Sequence, residues 1–138
     1  MYNPPALLLY VTDHGSVLHG IPILVKDNIA TSDKLDVSAG SYAFLGAKPR
    51  IESSLISRLR SAGAIILGKT NLSEWANFRG LSVSNGWSPR GGQTMGIFSP
   101  NSTPAGSSSG SAVAVALGLS TAALGTEVSS TYITSLIV

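Results

Sequence analysis

Two places in the chain combine residue types that could do chemistry. Lys26 closes the apolar run Ile21–Val25, with Asp27 the only acidic residue near it in sequence. A lysine held in apolar surroundings gives up its proton readily and can act as a base. Ser107, Ser108 and Ser109 stand in a row between Gly106 and Gly110, ahead of a run of small residues. Hydroxyls and amides at a helix start form an environment for an anion or an oxyanion. Each place also has a structural reading. Lys26 could be a solvated strand end, and the serines a Gly/Ser turn that caps a helix packed on a sheet.

Two further motifs match only in letters. Residues 63–70, GAIILGKT, fit the phosphate-loop pattern G-x-x-x-x-G-K-[ST]. A phosphate cradle needs a loop, and Ala-Ile-Ile-Leu reads as a strand. Residues 106–110 fit G-x-S-x-G, but that elbow needs a strand before it and a histidine after it. Here PNSTPA precedes it, and His14 and His19 both lie upstream.

The elements that must position these residues read as α/β. Ile21–Val25 and Ala64–Thr70 read as buried strands, and Ala122–Thr126 as a third strand. Ile51, Leu55, Ile56 and Leu59 form one helical stripe over 51–62, and Gly63 ends it. Asn71 and Glu74 form a capping-box pattern that opens a short helix through Phe78. Ser109–Leu119 is a helix of small residues, while 30–50 and 79–104 read as loops.

Composition removes several function classes. The 138 residues carry nine Lys/Arg against seven Asp/Glu, a net charge of +2, spread without a basic run. That spacing excludes a nucleic-acid footprint. There is no cysteine, and two histidines are a thin ligand supply for a zinc site. No apolar stretch reaches transmembrane length. The first residues lack the basic start of a signal peptide, so a cytoplasmic location is the default expectation.

Taken together, "LHGIPILVKDN", "LISRLRSAGAIILGKTNLSEWA" and "SPNSTPAGSSSGSAVAVALGLSTAALGTE" resemble the amidase signature family, of the fungal-amidase and glutamyl-tRNA amidotransferase A types. The resemblance runs from Leu18 to Glu127. It implies a partial amidase-signature fold, a mixed sheet flanked by helices. It also implies hydrolysis of a small-molecule amide by a Ser–cis-Ser–Lys triad, with neither metal nor organic cofactor. Lys26 takes the place of the base and Ser107 that of the relay serine held by a cis peptide. Ser108 takes the place of the serine that supports the triad.

The family's nucleophile spacing falls on Thr131, with the amides of Val128, Ser129, Ser130 and Thr131 at the oxyanion hole. The family pattern there is a near-glycine pair followed by serine. This chain has Ser129-Ser130-Thr131 instead. The expectation is therefore a three-part chain: a non-matching leader 1–17, the N-terminal part of an amidase domain 18–127, and a non-matching tail 128–138. Val128-Ser129 can be encoded by the consensus start of an intron, and read-through would produce such a tail. The expected product is a truncated, inactive form of the hydrolase, the alternative being a non-catalytic fragment or pseudoenzyme. Oligomeric state is not legible in the sequence.

Overall fold

The computed structural model describes residues 15–78, 80, 84–99 and 101–127. Its centre is the strand β1, Pro22–Lys26. Ile23 and Val25, which share one face of the strand, are buried, and Leu24 on the other face is half-buried. β1 lies between β2, Ile65–Thr70, and the short strand Ala122–Leu124. Both neighbours run parallel to it. Pro22 pairs with Ile65 and Lys26 with Thr70, with one register shift between Ile23 and Leu24, and Val25 pairs with Leu124. Pro22 is tolerated in this central strand because it occupies the first position, where a missing N–H does least harm.

The expected α/β order is present. The main sheet is wholly parallel among the described residues. Antiparallel pairing occurs in a separate ribbon of β3, Trp87–Ser88, and β4, Gly92–Gln93. The final strand of the main sheet is β5 in chain order. The ribbon lies inside the stretch 79–104 that reads as loop, because two-residue strands carry no period to detect.

Helix α1 spans Ser54–Ser61, shorter than the stripe 51–62 suggests. Ser53 is extended and gives its N–H to the Ala30 carbonyl at 3.1 Å, which holds the preceding residues out of the helix. Ile51 is exposed as a result, while Ile56 is fully buried. Ile56 joins Ile23, Val25, Ile29 and Ala64 in the core, with Leu59, Ile66 and Leu124 packed around them. Gly63 ends the helix at φ +83°, and a Cβ there would sit 2.2 Å from His19 Nδ1.

The short helix expected over 71–78 is not one. Glu74–Asn77 forms a 3-10 turn in which Trp75 and Ala76 are left-handed, both at φ 52°. The capping box fails because Asn71 is used elsewhere. Its Nδ2 donates to the Gly86 and Gly92 carbonyls and to Thr94 Oγ1, and its Oδ1 accepts from Ser88, which ties the β3–β4 ribbon down.

Helix α2 spans Ser109–Ala116 and packs on β1, β2 and β5. It stops before Leu119 in a Schellman motif: the Gly118 N–H reaches the Val115 carbonyl and the Leu119 N–H reaches Ala114. Its close seat depends on Gly110, whose N–H donates to the Asn71 carbonyl at 3.0 Å.

Candidate active site

Parallel strands place their C-terminal ends on one side of a sheet, where α/β proteins build their sites. Lys26 ends β1, and Gly125-Thr126-Glu127 follows β5 on the same side. The loop 104–108 brings the serines in from the start of α2. Its Gly106–Ser107 peptide bond is cis.

Lys26 is fully buried. Its Nζ lies 2.7 Å from Ser107 Oγ, 2.9 Å from Ser108 Oγ, 2.9 Å from Thr126 Oγ1 and 3.3 Å from the Thr126 carbonyl. Burial pushes the Lys26 amine down from 10.5 to about 8, while the Glu127 carboxylate opposes that fall. At pH 7 about a tenth of the molecules then hold a neutral amine.

The directions of these hydrogen bonds follow from the neighbours. Ser108 Oγ accepts from the Thr126 N–H and donates to the Thr126 carbonyl, both at 3.2 Å. Its proton is committed, so it meets Lys26 as an acceptor. A neutral amine has two N–H groups and one lone pair. With the N–H groups on Ser108 Oγ and Thr126 Oγ1, the lone pair faces Ser107, which donates its proton to it. When Lys26 is an ammonium, all three hydroxyl oxygens accept. In that arrangement Ser107 donates to the neutral amine and accepts from the ammonium.

The structure thus brings together Lys26, Ser107 and Ser108. Val128, Ser129, Ser130 and Thr131 lie outside the described residues. Ser109 does not join the group: its hydroxyl donates to the Ala105 carbonyl. The three serines therefore do not form an open anion site, because each hydroxyl is already engaged.

Asp27, the acid nearest Lys26 in sequence, turns away. Its carboxylate accepts from the Ser38 N–H at 3.2 Å, the Gly40 N–H at 3.1 Å and the Ser38 hydroxyl, which fixes the 38–40 turn. A second lysine, the half-buried Lys69, gives an N–H to the Ile29 carbonyl. Its amine is also pushed down by burial, against the pull of Asp27 and Asp33.

Sequence reasoning missed two members of the network, Thr126 and Asn28. Asn28 Nδ2 donates to Thr126 Oγ1 at 3.1 Å. The signal for Thr126 is its position just past a strand, parallel to the one that ends in Lys26. Asn28 also lines a cavity of about 310 Å³ with Val37, Ala39 and Phe44. A second cavity, of about 320 Å³, is lined by Asp27, Lys69, Thr70 and Asn71 among others. Lys26, Ser107 and Ser108 line neither.

Among the described residues no helix is long and apolar enough to cross a membrane, and no group of three or more His, Cys, Asp or Glu is placed to hold a metal.

The amidase family profile matches residues 7–130. A putative amidase of Arthroderma benhamiae is 50% identical over 116 residues, 84% of this chain and 20% of that protein. A probable amidase of Arabidopsis thaliana is 50% identical over 111 residues, 80% of this chain and 22% of that one. Among solved structures, the native peptide amidase of Stenotrophomonas maltophilia superimposes with a TM-score of 0.77 at 56% identity. That match covers 81% of this chain and 23% of the amidase. The chain spans about a fifth of the length of the curated relatives it matches.

Proposed function

This chain belongs to the amidase family, and from that premise we propose that Lys26, Ser107 and Ser108 are the base, relay and supporting hydroxyl of a site that hydrolyses the C–N bond of a carboxamide. The observation that carries the reading is the 2.7 Å contact between the buried Lys26 Nζ and Ser107 Oγ. A nucleophilic hydroxyl that attacks the amide carbon loses its proton to Ser107 Oγ, and Ser107 passes its own proton to Lys26 Nζ. The resulting ammonium returns a proton through Ser107 to the departing nitrogen. Water then releases the acyl group as a carboxylic acid. General acid–base transfer of this kind contributes about 10²–10⁴-fold. Family membership supports an amide as the substrate.

The second half of the site is where a non-catalytic reading gains support. In the family's spacing Thr131 is the nucleophile, and its extra methyl crowds attack. Ser129 and Ser130 replace glycines whose amides would meet the oxyanion. Loss of one oxyanion donor typically costs about 2.7–4 kcal/mol of transition-state stabilisation. We therefore propose that the chain carries a base and relay without turnover of its own.

Two measurements test this. The purified chain should release no ammonia from simple amides above a heat-killed control; release that is abolished by Lys26→Ala would show that Thr131 suffices. Residues 18–127, grafted in place of the matching segment of the S. maltophilia enzyme, should keep its peptide amidase activity. Lys26→Ala should then lower that activity by about 10²–10⁴-fold. A folded graft that works equally well without Lys26 would remove the base assignment.

A further inference from the structure

Thr126 meets the Lys26 amine twice, through its hydroxyl at 2.9 Å and its carbonyl at 3.3 Å. The two ends of Thr126 are held from opposite sides. Ser108 Oγ holds its backbone N–H at 3.2 Å, and Asn28 Nδ2 holds its side-chain Oγ1 at 3.1 Å. Asn28 lies two residues after Lys26, so it closes a ring that leaves the strand end at Lys26, passes through Thr126 and returns to the same turn.

Asn28 is a poor choice for packing alone. Its Oδ1 is buried and has no hydrogen-bond partner among the described residues. An unpaired buried carbonyl oxygen is unfavourable. An apolar residue of similar size would remove that penalty and would also leave Thr126 Oγ1 without its second anchor. The use of the amide is therefore the donor it gives to Thr126.

We propose that Asn28 and Thr126 are positioning residues that hold an acceptor against Lys26, with Asn28 acting through Thr126. The acceptor favours the charged amine and keeps the N–H groups off Ser107, so that the amine's lone pair is left for the relay hydroxyl. The functional meaning of this pair rests on the reading of Lys26 as a base; the positioning itself does not. The other charged groups near the amine are accounted for. Glu127 follows Thr126 and acts on Lys26 by its charge. Asp27 is engaged with Ser38 and Gly40, and Lys69 on β2 with the Ile29 carbonyl. Helix α2 and strand β5 carry no charged residue.

The test is the titration of the Lys26 Nζ in the whole chain, followed by NMR with ¹⁵N-labelled lysine. The parent chain should titrate near pH 8. Thr126→Val keeps the shape and removes the acceptor. Its midpoint should fall by about one pH unit, tenfold in proton affinity, as expected for loss of a hydrogen bond to a charged group. Thr126→Ser restores the oxygen and should return the midpoint to the parent value. Asn28→Leu should shift the midpoint in the same direction as Thr126→Val and by less. Folded Thr126→Val and Asn28→Leu chains that titrate with the parent would overturn the proposal. If Thr126→Val does not fold, Asn28→Leu alone decides; unfolding of both would mark the pair as structural and overturn it equally. Turnover is not needed for any of these readings. A failed amide assay therefore bears on the proposed function and leaves the positioning result intact.

Discussion

At the scale of single residues, the buried lysine links chemistry to stability. Lys26 sits at about 8 in the folded chain and near its ordinary 10.5 when unfolded. Below pH 8 both states hold the proton, and the folded state bears the whole cost of burying the charge. Between pH 8 and 10.5 the folded state has released its proton while the unfolded chain still binds one. Stability therefore rises with pH across that window. At 1.36 kcal/mol per unit the gain is on the order of 2–3 kcal/mol. Urea unfolding at pH 7.5, 9 and 10.5 should show this rise. Lys69 is shifted the same way, so Lys26→Met should reduce the rise without abolishing it. A Lys26→Met chain with the parent's pH dependence would show that the Lys26 amine is solvated.

At the scale of elements, the site depends on how closely α2 lies against the end of β2. A Cβ at Gly110 would stand 2.5 Å from the carbonyl oxygen of Asn71 and 2.6 Å from its nitrogen. Both are backbone atoms, with no flexible end that could yield. Gly110→Ala should force the helix away and cost about 1–3 kcal/mol, the range for overpacking. The serines that precede the helix would move with it. The variant should thus lower the unfolding midpoint and also change the Lys26 titration. Loss of stability with an unaltered Lys26 midpoint would mean that the serine loop is held independently of α2, through contacts such as the Ser73 N–H on the Ser107 carbonyl at 3.0 Å.

At the scale of the whole molecule, the three-stranded sheet has an edge on each side, β2 and β5, with no further strand paired to them among the described residues. Ile65 and Leu67 on β2 are about half exposed, at 52% and 53%, and Leu117 and Leu119 beyond α2 are more so. Open edges beside apolar side chains promote association. The chain should sediment as concentration-dependent oligomers and bind a hydrophobic dye. Ile65→Lys with Leu67→Lys should weaken both effects. A monomer with little dye binding and a cooperative thermal transition would show that these residues form a self-sufficient unit.

The sequence alone determined the parts that depend on local pattern. The apolar runs at 21–25, 64–70 and 122–126 specify strands, and their alternation with helices implies α/β order. The assembled sheet, however, buries only β1 well and leaves Ile65 and Leu67 of β2 half exposed. Ala-Ile-Ile-Leu in 64–67 excludes a phosphate loop because it prefers to be strand, and Ile65–Leu67 are strand. Lys26, Ser107 and Ser108 were legible as a group through resemblance, since nothing local says that residues 81 and 82 positions apart will meet. Tertiary structure decided what they meet. Parallel pairing of β1 with β5 delivers Thr126 to the Lys26 amine, and the turn after β1 delivers Asn28 to Thr126. The same long-range contacts overruled local signals elsewhere. Asn71 gave up its capping role because three acceptors of the β3–β4 ribbon surround its amide. Asp27 turned from its neighbour Lys26 because the 38–40 turn offers it two N–H groups and a hydroxyl. A hydrogen-bonding side chain goes where the most donors or acceptors converge, and only the assembled chain fixes where that is.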